Sequence, residues 1–235
     1  MPDVPRVVVI SPPGNWAVQQ ELRAVIGAAA RVEFVPFDVV GAGSYEQDLL
    51  QRIRGYLDTM EELLAAKITV PPAVLVLGHT GCSYLAQAQR PGWLDAVLQH
   101  SGAQKIVTAV GAVEDALKAR SIGRVELITP YPSSVHNLAC KYWRNRGLDV
   151  VLDGSMAGAN GARSIYDLTE ADVAAFIRAR ADLRTGSSRP EAIVISGTGA
   201  PSLGVLDELT GELGIPVLSV NHSMGTAVVG HANAW

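Results

Sequence analysis

The chain has 235 residues, enough for one large domain or two small ones with an ample core. Apolar residues make up 48% and charged residues 18%, a composition that excludes a disordered chain. The net charge of −4 comes without a Lys/Arg cluster, which excludes a nucleic-acid face, and no apolar run approaches the roughly 20 residues of a membrane helix.

The start, MPDVPRVVVIS, lacks the basic segment and long apolar run of a signal peptide. Two cysteines make no disulfide framework, no Cys/His group has metal-ligand spacing, and no Walker loop occurs. A cytoplasmic protein with free thiols, no metal and no organic cofactor is therefore expected, with no membrane or nucleic-acid partner and a closed homo-oligomer as the default.

Taken in chain order, short apolar runs alternate with longer helical patterns. The runs Arg6–Ser11, Val32–Phe37, Ala73–Leu77, Lys105–Ala109, Arg124–Thr129, Asp149–Leu152, Ala192–Ser196 and Pro216–Val220 predict strands. All are continuous rather than alternating, as in parallel strands buried on both faces. Helices are predicted over Tyr45–Ala66, Ser133–Gly147, Glu170–Leu183 and Ser202–Gly214. Ser133 and Thr169 suit N-caps, and Gly147 and Gly214 suit stops. The alternation predicts an α/β fold with helices covering parallel sheets.

The chain also repeats itself. RVVVISPP at Arg6 matches RVELITPY at Arg124, and AVLVLGHTG at Ala73 matches EAIVISGTG at Glu191, each at a shift of 118. KIVTA at Lys105 and PVLSV at Pro216 match at 111, a seven-residue difference in the loop between. Two tandem pseudo-two-fold-related α/β units are predicted, 1–117 and 118–235, each with a roughly four-stranded parallel sheet. The C-terminal segment is free to cross back onto the first unit.

Ligands of open parallel sheets bind beyond the carboxyl ends of the strands. Four strand ends here carry unusual loops: Ser11-Pro12-Pro13, His79-Thr80-Gly81, Thr129-Pro130-Tyr131 and Gly197-Thr198-Gly199. If the units face each other, all four converge on one cleft between them. Glycines admit close backbone approach, helix N-termini after the loops offer free N–H groups, and the hydroxyls of Ser11, Thr80, Thr129, Thr198 and Tyr131 add donors. That makes a nest for a small carboxylate. Taken singly, each loop is equally an ordinary turn.

These features, with TPYPSSV at Thr129 and PSLGVLDELTGELGIPVLSVN from Pro201 to Asn221, make the chain resemble the aspartate/glutamate/hydantoin racemase superfamily. The branch it resembles is that of maleate cis-trans isomerase and arylmalonate decarboxylase. The resemblance implies a cofactor-independent lyase, isomerase or racemase acting on a small carboxylate through an enediolate-like anion. It also implies two facing cysteines at the HTG-like loops. Here those positions fall on His79 and Gly197, and Cys82 lies three residues after the first. The carboxylate grip is thus expected in Thr80, Gly81, Tyr131, Thr198, Gly199 and Asn221, without the paired thiols.

His79, with an unperturbed pKa of roughly 6.5, suits proton exchange near neutrality, or else simply bonds a neighbouring loop. Cys82 sits at a helix N-terminus beside His79, two features that lower a thiol pKa, or else it packs as a small buried residue. His222 could face His79 from the second unit and restore two bases. Pro12 and Pro13 shape the first loop, and Trp16 is a pocket wall or core. Cys140, mid-helix, reads as structural. One acid/base centre favours a decarboxylase. The alternatives are an isomerase or racemase using Cys82 or His222, a non-catalytic carboxylate binder, and a hydrolase of a cyclic imide or lactone.

Overall fold

The computed structural model describes residues 4–37, 45–162 and 164–232, with the side chains of residues 45–48 and 160 outside the description. In chain order the elements are β1 (Arg6–Ser11), α1 (Trp16–Ile26), β2 (Arg31–Pro36), α2 (Tyr45–Asp58), α3 (Met60–Lys67), β3 (Val74–Leu77), α4 (Thr80–Gln89), α5 (Trp93–Ser101), β4 (Lys105–Thr108) and α6 (Ala109–Lys118). They continue with β5 (Arg124–Thr129), α7 (Ser133–Asn145), β6 (Asp149–Ser155), α8 (Glu170–Arg178), β7 (Ala192–Ile195), α9 (Leu206–Leu213), β8 (Val217–Ser219) and α10 (Val220–Ala232).

The strands form two all-parallel, four-stranded sheets, ordered β2-β1-β3-β4 and β6-β5-β7-β8. Equal order in both sheets is what the internal repeat predicts: β5 and β7 lie 118 residues after β1 and β3. The order reverses direction between β1 and β3, and again between β5 and β7. That switch point splays the loops at the strand ends apart and makes room for a ligand. The four unusual loops sit there.

The inner strands β1, β3, β5 and β7 and the edge strand β8 are almost wholly buried, with Val7–Val9 and Ile193–Ile195 at zero exposure. The other edge strands, β2, β4 and β6, are half-exposed, so the expectation of strands buried on both faces holds for the inner strands and β8 alone. Hydrocarbon from both halves, from Val7 to Val228, joins in one core, and a second cluster around Ile128, Val173 and Leu209 lies within the second half. Helix α10 leaves β8 and packs on α1 and α6 of the first half. Among the described residues no helix is long and apolar enough to cross a membrane.

Several element bounds differ from expectation for local reasons. The helix expected over Tyr45–Ala66 is interrupted at Thr59, whose hydroxyl and N–H both donate to Gly55 O, a back-bond that bends helices. Thr169 caps α8 in a full capping box with Asp172, but the cap of α7 is Pro132, and Ser133 is its first helical residue. Gly214 ends α9 in the left-handed region, φ 66°, as a C-terminal glycine should. The loop after β7 runs irregularly to a short 3₁₀ turn at Leu203–Val205, so the second unit lacks a helix starting directly behind GTG.

Glu126 on β5 has zero exposure and is paired with Arg180 at 2.6 Å and Arg184 at 2.5 Å. The two guanidiniums balance a carboxylate that could not be buried alone.

Candidate active site

The four strand-end loops do meet, and hydrogen bonds join them across the two units. Thr80 Oγ1 at the start of α4 lies 2.5 Å from Tyr131 OH after β5. Asn15 Nδ2, after β1, donates to Thr198 Oγ1 after β7 at 3.0 Å. Asn221 Nδ2 donates to Thr198 O at 3.1 Å and to Glu21 Oε2 at 2.8 Å. Thr80, Tyr131, Thr198 and Asn221 are all buried, which makes this a closed cluster of neutral donors between the sheets. Asn15 escaped the sequence reading. It also caps α1 through Val18 N, and an Asn before an apolar helical run after PPG is the signal that could have revealed it.

His79 is the N-cap of α4. Its Nδ1 accepts from Cys82 N at 3.3 Å and lies 3.0 Å from Cys82 Sγ. Two donors on Nδ1 place the ring proton on Nε2. The ring packs edge-on against Phe37 and Tyr56, both of the first unit, and burial drives its pKa down to about 4. His79 is therefore a neutral imidazole walled by its own unit, while its neighbour Thr80 makes the contact across the cleft.

Cys82 follows the second of its two readings, that of a small buried residue. A helix N-terminus and a nearby imidazole were expected to favour thiolate. The Sγ is in the apolar core instead, and burial pushes the thiol pKa well up. Its S–H serves the imidazole as a donor.

Gly197 explains the missing second thiol in steric terms. A Cβ there would come within 2.5 Å of Pro130 Cγ and closer still to Cδ. The space a side chain would need is filled by a rigid ring from the facing loop. Gly81 and Gly199 play a related part: a Cβ on Gly81 would meet Ile53 at 2.8 Å, and one on Gly199 would meet Ile165 at 3.2 Å. These glycines serve close packing of element on element, where close approach to a ligand was expected.

The remaining expected residues divide. Ser11 and Pro12 are buried at the end of β1, and Pro13 is half-buried. Thr129 turns its hydroxyl to His136 Nδ1 at 2.8 Å, away from the donor cluster, which corrects its assignment to carboxylate binding. His222 is half-buried in the first turn of α10, and among the described residues no ring or hydrogen-bond contact joins it to His79. Trp16 is not core: it is 39% exposed and donates its indole N–H to Tyr166 O across the units. Tyr84 OH, 2.7 Å from Ser196 Oγ, and Trp143 Nε1, which donates to the same oxygen, add a second buried tie that the sequence did not mark. Burial raises the Tyr84 pKa to about 12, so it stays a neutral donor.

Two sheets with this order have counterparts of known structure. The fold is that of maleate isomerase and arylmalonate decarboxylase. A variant of Nocardia farcinica maleate cis-trans isomerase with a covalently bound succinylcysteine intermediate superposes with a TM-score of 0.78 at 18% identity, covering 98% of this chain and 94% of that one. The maleate isomerase of Pseudomonas putida S16 gives 0.75 at 20% identity over 98% and 94%. Arylmalonate decarboxylase gives 0.67 at 23% identity over 97% and 92%. No family model and no curated protein sequence matches the chain. The resemblance read from the sequence thus holds at the level of fold.

Proposed function

We propose that this chain is an enzyme that binds a small mono- or dicarboxylate between its two units and takes it through an enediolate-like anion, with decarboxylation and reprotonation as the reaction. The observation that supports this reading most is the filled place at Gly197. Pro130 occupies the space of a second reactive side chain, so one acid/base centre remains. Two-base racemisation needs a group on each face of the carbon, whereas decarboxylation followed by protonation needs one.

In this reading the Thr80, Tyr131 and Thr198 hydroxyls and the Asn15 amide are the preorganised donors for the developing negative charge. Binding opens the Thr80–Tyr131 hydrogen bond and redirects both hydroxyls to the substrate carboxylate. No metal or organic cofactor takes part in this step. His79 exchanges the proton once binding turns its ring from between Phe37 and Tyr56 toward the cleft, where the bound anion favours the imidazolium and offsets the effect of burial.

The test is incubation with a panel of substituted malonates, maleate and amino acids in D2O, followed by NMR. CO2 release with one deuterium delivered to the α-carbon is expected, and Tyr131→Phe should lower kcat by on the order of 100-fold. Absence of CO2 release, deuterium uptake and isomerisation across the panel would overturn the enzymatic reading.

A second reading, a non-catalytic carboxylate binder, has its own observation: His79 is held near pKa 4 and Cys82 is held as thiol, so neither is ready for proton transfer at neutral pH in the ligand-free chain. Carboxylates that raise Tm without turnover would favour it.

A further inference from the structure

Helix α7 and strand β6 carry a group of side chains that the proposed reaction does not use. His136 Nε2 lies 3.0 Å from Asp153 Oδ1 and 3.5 Å from Cys140 Sγ, and the three ligand atoms all fall within 4.8 Å of one another. His136 and Cys140 stand one turn apart on α7 and are buried, while Asp153 reaches them from β6 and keeps its side chain 40% exposed. Arg144 pairs with the other carboxylate oxygen, Oδ2, at 3.4 Å and leaves Oδ1 free to face the group.

The internal repeat shows how unusual this is. At the shift of 118, His136 and Cys140 correspond to Val18 and Leu22, both fully buried on α1. Asp153 pairs with Leu127, whose counterpart Val9 pairs with Phe34, so Asp153 corresponds to Phe34. Three hydrocarbon side chains of the first unit are thus replaced in the second by imidazole, thiol and carboxylate. Burying the imidazole and the thiol costs desolvation that Val and Leu do not incur.

The arrangement is not a nucleophile relay. In a relay the carboxylate holds one ring nitrogen and the thiol the other. Here both Sγ and Oδ1 converge on the same Nε2, while Nδ1 faces Thr129 Oγ1 at 2.8 Å. Three donors around one point, with the far ring nitrogen held by a hydroxyl, is the pattern of a metal-ligating histidine and its outer partner. Tetrahedral zinc bonded to N, S and O sets its ligand atoms roughly 3.3–3.8 Å apart; here Nε2 lies 3.0 Å from Oδ1 and 3.5 Å from Sγ, with the third pair within 4.8 Å, so small side-chain shifts complete the geometry. The mixed N/S/O set fits a zinc-type ion and not magnesium or calcium, which take oxygen ligands.

We propose that His136 Nε2, Cys140 Sγ and Asp153 Oδ1 form a three-ligand site for a divalent transition-metal ion of the zinc class, separate from the carboxylate cluster. The fourth coordination position takes water or a small oxygen anion from the adjoining cavity of about 510 Å³, which is lined by His136 with Ser133, Ser155, Met156 and Ile165. Binding releases the thiol proton to solvent and leaves Cys140 as thiolate on the ion.

The test uses the full chain, stripped with a chelator and titrated with Zn2+ against a chromophoric competitor, and with Co2+ as a spectroscopic probe. One ion per chain and a thiolate-to-cobalt charge-transfer band are expected. Cys140→Ala should abolish the band and weaken binding at least about 100-fold, and Thr129→Val should weaken it on the order of 10-fold, the range for an outer-shell partner. Cys82→Ala should keep the band. A wild-type chain that gives no charge-transfer band at one equivalent of Co2+, or whose Zn2+ affinity is unchanged in Cys140→Ala, overturns the site. The wild-type spectrum decides the matter even if a variant fails to fold.

Discussion

His79 shows how one residue can lose its expected chemistry to its surroundings. Its sequence position, at the end of a buried strand and before Thr-Gly, pointed to a titrating group near neutrality. Packed between Phe37 and Tyr56, with Nδ1 committed to capping α4, it stays neutral down to about pH 4. The folded pKa lies below the unfolded value of 6.5, so the unfolded chain takes the proton first as pH falls. Its contribution is full above pH 6.5 and is lost as pH falls through 4, by about 3 kcal/mol for a shift of this size. Urea denaturation from pH 7 to 4 should therefore show a decline that is shallower by about that amount in His79→Asn. Asparagine keeps the cap and removes the titration.

At the scale of elements, the contact between α10 and α1 depends on Gly225. A Cβ there would lie 2.6 Å from Val25 Cβ and Cγ1, atoms that cannot move without moving α1. Glycine in a helix interior is ordinarily about 1 kcal/mol worse than alanine, so helix propensity alone predicts that Gly225→Ala stabilises. Overpacking costs about 1–3 kcal/mol, and this term should win. The expected outcome is a lower urea midpoint at unchanged m value. A raised midpoint would show that the helices part easily. The glycine at Gly197 obeys the same rule against Pro130.

Across the whole molecule, Glu21 joins the two units. Its Oε1 accepts from Ser202 N and from Leu203 N at 2.7 Å, and its Oε2 accepts from Asn221 Nδ2 at 2.8 Å, all second-unit groups buried with it or nearly so. Burial raises the Glu21 pKa, opposed by those same donors. Removing it in Glu21→Ala strands three donors and should cost about 3 kcal/mol or more in denaturant unfolding, while Glu21→Gln, which keeps one acceptor, should cost clearly less. Because one apolar core runs through both halves, these losses should appear in a single cooperative transition.

Apolar period and repeat determined the broad design from the sequence alone. Runs such as Val7–Ile10 and Ala192–Ile195 have no polar face, so they could only be inner parallel strands. The shift of 118 then doubled the unit and set four loops at the switch points. Those inferences rest on local chemistry, which residue order carries directly. What only the tertiary structure decided is which side chains meet and how far each is removed from water. Asn15 with Thr198, Thr80 with Tyr131, and His136 with Cys140 and Asp153 are partners 183, 51 and up to 17 residues apart or on facing elements. The protonation of His79 and Cys82 and the exclusion of a side chain at Gly197 follow from burial and steric contact. Both are properties of packing, and no residue carries them in its identity.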